Sequence, residues 1–165
     1  DWMLVTTLDD VAWIFNLRGR DVSYNPVFYA FALIGLEDAY LFIDQAKMPM
    51  AVMQELERDN IYIEDYEQAY KLRDICFGKT MIDPDTCSVT LHAQFRPEEL
   101  IEATLPSRLL KAQKSKIEVQ QIDYAMTKDG GALTHAFKWL EDQLAEGVEV
   151  TEYDIATQIA DFTSR

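Results

Sequence analysis

Two arginines flank a glycine in Arg18-Gly19-Arg20, and Asn25-Pro26 follows a few residues later. An arginine presents a planar fork of donors that matches a carboxylate, either a substrate terminus or a structural Asp. Gly19 and the Asn-Pro pair mark the whole of 18–26 as loop, stiffened at its far end by proline. Aromatic-rich apolar runs stand on both sides of it. A stiff, arginine-bearing loop between buried segments has two uses: to hold itself together or to bind an anion. The chemistry of the residues alone favours the structural pairing.

Other constellations are weaker. The two histidines, His92 and His135, belong to no HExxH pattern, and there is no CxxC, nucleophile elbow, GxGxxG or GxxxxGK[ST] run. Asp74 and Asp85 stand eleven apart with His92 seven further on, a spacing that invites a metal site. Their context speaks against it. Asp74 is beside Arg73 on a charged face and Asp85 lies in a proline turn, whereas hard cations need carboxylates converging from rigid elements. Asp129 falls on an apolar helical stripe and is expected to be a buried carboxylate paired with an arginine or a helix N-terminus. Cys76 and Cys87 are too few for a disulfide framework and read as small buried hydrophobes, reduced in a cytoplasmic protein.

The chain has 165 residues, 48% of them hydrophobic, enough for a sizeable core. Its formal charge of −14 argues against binding nucleic acid or an anionic membrane surface, both of which reward clustered Lys and Arg. No apolar run approaches the roughly 20 residues of a membrane span. The chain opens inside a strand-like run without an initiator Met, so it is expected to be cut from something longer.

Several elements must position the loop. "WMLVT" (2–6) reads as a strand and "LDDVAWIFNL" (8–17) as a helix, with Asp9 and Asp10 well placed in its first turn. "VFYAFALIG" (27–35) and "AYLFID" (39–44), joined by "LED", have the pattern of an antiparallel hairpin. A helix over 48–59, a strand over 61–66, a helix over 66–78 stopped by Gly78, a strand over 79–84, a brief helix in 85–95 and a strand over 99–104 follow. Alternating strand and helix predict an α/β fold, a mixed sheet flanked by helices on both faces.

After Leu105 the character changes. Pro106 opens a helix at a position that tolerates proline. Ser115 and Glu118 form a capping box for one long helical pattern over 115–147, with Val119, Ile122, Met126, Leu133, Ala136, Phe137, Leu140 and Leu144 on one stripe. Gly130-Gly131 inside it predicts close backbone packing or a kink. A last helix over 151–162 is capped by Thr151 with Asp154 reaching back. The predicted boundary is near residue 105: an α/β domain over 1–105, and helices opening a second domain over 106–165.

The run "LDDVAWIFNLRGRDVSYNPVFYAFALIGLEDAYLFID" resembles the middle domain of three-domain Xaa-Pro aminopeptidases, the aminopeptidase P family, in which a "LDEIAW-L-NLRG-D---NPVF" run precedes an apolar strand and "LFID". Asn16-Leu17-Arg18-Gly19, Asp21, Asn25-Pro26-Val27-Phe28 and Leu41-Phe42-Ile43-Asp44 carry the likeness. "KAQKSKIEVQQIDYAMTKDGGALTHAFKWLE" is similar to the opening helix of that family's catalytic domain, through Lys111, Ala112, Lys114, Glu118, Ala125, Asp129, Gly130, Ala132, Leu133, Trp139, Leu140 and Glu141. Ser115, Gln121 and Asp123-Tyr124 depart from the family pattern.

The resemblance implies a creatinase N-terminal-like, ribonuclease H-like fold for 1–105 and the start of a pita-bread metallopeptidase domain for 106–165. It implies a cytoplasmic, homodimeric parent enzyme with two divalent metal ions, usually manganese, whose bridging hydroxide attacks the bond before proline and releases the first residue of the peptide. The family's metal ligands, two Asp, one His and two Glu, lie beyond these helices, so the chain itself is expected to hold no metal and to be inactive, acting as scaffold or as a wall of the substrate cleft or dimer. In relatives the loop faces the cleft, which makes Arg18 and Asn25 the candidate substrate-binding residues. The alternative is a protein-binding module of the same superfamily that has lost its metals.

Overall fold

The computed structural model describes residues 1–164, which form two compact units, Asp1–Gln113 and Lys114 onward. The first unit is built on a six-stranded mixed sheet: β1 (Trp2–Val5), β2 (Ala30–Ile34), β3 (Ala39–Ile43), β4 (Ile61–Glu64), β5 (Thr80–Ile82) and β6 (Leu100–Glu102), in the order β4-β3-β2-β1-β5-β6. β1, β2 and β3 run antiparallel, whereas β4 joins β3, and β5 and β6 extend from β1, in parallel. The mixed α/β layer expected from the alternation is present.

Period-two patterning splits the strand residues between two cores. Val5, Ala30, Ala32, Leu41 and Ile43 face α1 (Leu8–Ile14) and α2 (Met50–Arg58), where Val11, Ala12, Val27, Phe28 and Leu56 complete a buried cluster. Leu4, Leu33, Phe42 and Ile82 face the other way, under Ala69, Leu72, Leu91 and Phe95. The β2–β3 turn is closed by the Gly35 N–H donating to the Asp38 carbonyl at 2.9 Å. A Cβ on Gly35 would lie 2.8 Å from the Trp2 ring, so glycine is what allows the indole to cross the strand end and reach Tyr40 at 5.9 Å.

The segment expected as an α-helix over 66–78 is a kinked 3₁₀ stretch, Tyr66–Asp74, with Lys71 at φ −131°, ψ 33°. Gln94 explains the break. Its Oε1 accepts from the Leu72 N–H at 2.8 Å and its Nε2 donates to the Ala69 carbonyl at 3.0 Å. One side chain thus takes the backbone groups that a continuous helical ladder would have paired. Gly78, at φ +100°, lies beyond this segment rather than at its cap. The helix expected in 85–95 is a single turn, α3 (Val89–His92), capped by the Ser88 hydroxyl accepting from the Leu91 N–H at 3.3 Å.

The break between units follows Gln113, beyond the change of character at Leu105. The difference is α4 (Pro106–Ala112), which carries Pro106 in its first turn and packs on α1. Lys111 of α4 pairs with Asp9 and, at 2.5 Å, with Asp10 of α1. Asp10 is buried, and its other oxygen accepts from the Thr7 hydroxyl at 2.8 Å.

The second unit is an antiparallel-type pair of helices, α5 (Lys116–Ala145) and α6 (Glu152–Ser164). The Ser115–Glu118 capping box forms in both directions. Thr151 and Asp154 likewise bond reciprocally at the start of α6. Ala132 and Ala136 are the buried positions of α5, and His135 stacks on Phe162 at 5.6 Å. Val119, Ile122, Met126, Leu133, Phe137 and Leu144 of the apolar stripe are exposed. Two expectations for this helix fail: Asp129 is exposed rather than buried and paired, and α5 runs unbroken through Gly130-Gly131 with nothing among the described residues within 4 Å of a Cβ at either. Residues 121–131 are all solvent-exposed. Among the described residues no helix is long and apolar enough to cross a membrane.

Candidate functional site: the Arg-Gly-Arg loop

The loop begins where α1 ends. Asn16 takes the left-handed conformation at φ 51°, which asparagine tolerates better than most residues, and turns the chain back on the helix. The Leu17 N–H then donates to the Ala12 carbonyl at 3.0 Å. Arg18 completes the end of the helix: one guanidinium nitrogen donates to the Ala12 carbonyl at 2.9 Å and to the Leu17 carbonyl at 2.8 Å. A cation on the last carbonyls of a helix is favoured both by hydrogen bonding and by the helix dipole. Arg18 therefore binds backbone oxygens, not the structural carboxylate expected for it.

Two strand-like hydrogen bonds hold the middle of the loop. The Gly19 N–H donates to the Pro26 carbonyl at 3.3 Å, and the Asp21 N–H donates to the Val27 carbonyl at 3.2 Å. Gly19 is required there because a Cβ would approach the Phe28 Cβ to 2.6 Å. At the tip, Asn25 bridges Val22, Tyr24 stands at φ 63° with its ring in solvent, and the Asn25 carbonyl accepts from the Val27 N–H at 2.8 Å. The backbone of Asn25 thus shapes the turn while its side chain is exposed.

Asp21 is the electrostatic hub. Its carboxylate accepts from the Lys47 ammonium at 2.7 Å and from the Tyr29 N–H at 2.9 Å. Lys47 also lies over the Tyr29 ring, 5.7 Å from its centre. The Lys47 hydrogen bond first, and the Tyr29 N–H second, hold the Asp21 carboxyl below its ordinary range, and the same contact raises Lys47. Arg20 is exposed at the mouth of two clefts. One, of about 270 Å³, is lined also by Met48, Pro49 and Val52; the other, of about 650 Å³, is lined also by Tyr24, Asn25 and Pro26. Arg18 and Asn25 are thus brought to one surface with Arg20. Lys47, which completes this surface from 26 residues away, carries no local sequence signal.

The remaining candidates do not assemble. His92 pairs with Glu102 at 3.0 Å, Asp74 is exposed, and the Asp85 N–H is tied to the Asp83 carboxylate at 3.1 Å. Among the described residues no three His, Cys, Asp or Glu side chains converge to hold a metal ion, so these residues do not fit a di-metal centre. Burial pushes the Cys76 thiol up to about 11 and raises Cys87 as well, which leaves neither as a thiolate nucleophile near neutrality.

Residues 1–118 match the family model for the creatinase/prolidase N-terminal domain. The Xaa-Pro aminopeptidase ApepP of Drosophila melanogaster is 33% identical over 99% of this chain and 28% of its own length. A probable Xaa-Pro aminopeptidase P of Laccaria bicolor is 32% identical over 98% of this chain and 26% of its own length. Among solved structures, the X-prolyl aminopeptidase of Caenorhabditis elegans, described as a cytosolic enzyme with a di-nuclear active site, superimposes with a TM-score of 0.88 at 26% identity, over 99% of this chain and 28% of that one. The chain spans little more than a quarter of the length of these relatives. With 118 of its residues matched by one family model, the chain belongs to the creatinase/prolidase N-terminal domain family.

Proposed function

We propose that this chain is part of a metal-dependent Xaa-Pro aminopeptidase, a cytoplasmic hydrolase that releases the N-terminal residue from peptides with proline in second position. In this reading residues 1–105 are its middle domain and 106–165 open its catalytic domain. Two divalent ions, manganese in the cell, are bound by residues outside this chain, and the enzyme works as a homodimer. The chain alone is inactive and serves as scaffold and cleft wall, with Arg18 and Asn25 bordering the path of the substrate. The observation that carries the reading is the superposition on X-prolyl aminopeptidase over 99% of the chain at a TM-score of 0.88.

The test is manganese-dependent release of the first residue from an Xaa-Pro-Xaa peptide by the full-length protein, with this chain run alongside as blank. Release by the full-length protein alone is the expected result. A full-length protein silent with every divalent metal overturns the reading in favour of a protein-binding module. For the loop, Arg18→Ala with unchanged kinetics and a lower melting temperature removes Arg18 from the substrate path and leaves it as the cap of α1.

A further inference from the structure

The loop's two arginines are not equivalent. Arg18 spends its guanidinium on the Ala12 and Leu17 carbonyls, at 2.9 and 2.8 Å. Arg20 is exposed and, among the described residues, has no hydrogen-bond or ion-pair partner. The carboxylate next to it in sequence, Asp21, pairs instead with Lys47 and the Tyr29 N–H, both through Oδ2. Lys47 is compensated by Asp21 and Asp44, which leaves the two arginines of the loop as its uncompensated cations, on a chain whose formal charge is −14. A local positive field of this kind on an otherwise acidic chain selects for an anion.

The site is also pre-organised. Backbone hydrogen bonds of the residues on either side of Arg20 pin its Cα, and Gly19 lets the two arms of the loop approach closely. Fixing the backbone in advance lowers the ordering cost of binding. Arg20 lines both clefts, and Met48, Pro49 and Val52 line the smaller one with it. A guanidinium so placed binds a carboxylate through two parallel hydrogen bonds.

We propose that Arg20 binds a carboxylate of the peptide substrate and thereby makes the enzyme prefer peptides that carry one at a set distance from the scissile bond. This rests on the aminopeptidase reading above. The carboxylate is the free C-terminus of a short peptide or an acidic side chain of a longer one, and the chemistry at Arg20 is the same.

The experiment uses the full-length protein and Xaa-Pro peptides of increasing length. Each peptide is made as the free acid, as the C-terminal amide, and as an amide with Glu in the last position. At one length the wild type is expected to favour a carboxylate-bearing peptide over the plain amide by about tenfold, through KM with kcat unchanged. Arg20→Gln loses that preference, and Arg20→Lys retains part of it. The free acid and the Glu-bearing amide distinguish the two sources. An acid-to-amide ratio equal in wild type and Arg20→Gln at every length, in an active enzyme, overturns the proposal. A wild type that cleaves none of the peptides overturns the aminopeptidase reading instead. The same peptides are then compared by calorimetric affinity: carboxylate-dependent binding lost in Arg20→Gln keeps the site, and binding indifferent to the carboxylate overturns it.

Discussion

Gly19 is the tightest point of the loop. An alanine methyl there would meet the Phe28 Cβ at 2.6 Å and the Val27 carbonyl at 3.1 Å, both on a backbone already fixed by the Asp21 and Tyr29 N–H groups. Neither neighbour is the free end of a flexible side chain, so Gly19→Ala is expected to destabilise the fold by about 1–3 kcal/mol, measured as a lower denaturant midpoint at unchanged slope. Asp21 adds a pH dependence. Its folded carboxyl titrates below the unfolded value of about 3.9, because Lys47 and the Tyr29 N–H stabilise the charged form. As pH falls the unfolded chain takes up that proton first, so the Asp21 contribution is whole above the unfolded value and is lost as pH drops through the folded one. Midpoints of wild type and Asp21→Asn should therefore differ at neutral pH and converge as pH falls through the folded value. A gap that persists in acid would assign the effect of the substitution to packing rather than to the carboxylate.

At the scale of elements, what could be read from the sequence was what is encoded locally. α1, the β2–β3 hairpin, the Ser115–Glu118 box and the Thr151–Asp154 cap each depend on residues within a turn or a strand of one another, and each is present. The 3₁₀ stretch over 66–74 depends on Gln94, which is 22 residues from the Leu72 N–H it captures, and no periodicity within the stretch announces that partner. The site divides the same way. Arg18, Gly19 and Asn25-Pro26 announce a loop, but the carbonyls that occupy Arg18 and the lysine that occupies Asp21 emerge only from the folded chain. In α5 the paired glycines predict close packing or a kink, and among the described residues nothing lies within 4 Å of a Cβ at either. Gly130→Ala and Gly131→Ala in this chain should each stabilise α5 by about 1 kcal/mol, since alanine is the better helix former and meets no obstacle. Circular dichroism melts of the single and double variants decide it. A loss of helicity would mean that another surface lies against the glycines in solution.

At the scale of the whole molecule, the division after Gln113 assigns α4 to the sheet-bearing unit, and the reason is electrostatic as much as apolar. Asp10 is 6% exposed and Asp83 5% exposed, and each has its nearest cation on α4: Lys111 at 2.5 Å from Asp10, and Arg108 at 4.0 Å from Asp83. Burial alone would lower Lys111, yet the Asp10 and Asp9 carboxylates raise it, so the net field at this contact favours the charged forms. A chain ending at Gln113 retains both cations, and one ending at Leu105 loses both. Removing one partner of a buried ion pair costs about 3–5 kcal/mol, because the other charge is left without compensation. The 1–113 chain is therefore expected to unfold cooperatively, with the 1–105 chain less stable by at least that amount or unable to fold. Lys111→Met in the 1–113 chain separates charge from packing, since it keeps the apolar stem and deletes the ammonium. If it matches wild type in denaturant midpoint, α4 is held by Leu105 and its apolar contacts alone; a loss of about 3 kcal/mol makes the Lys111–Asp10 pair what fastens α4 to the domain.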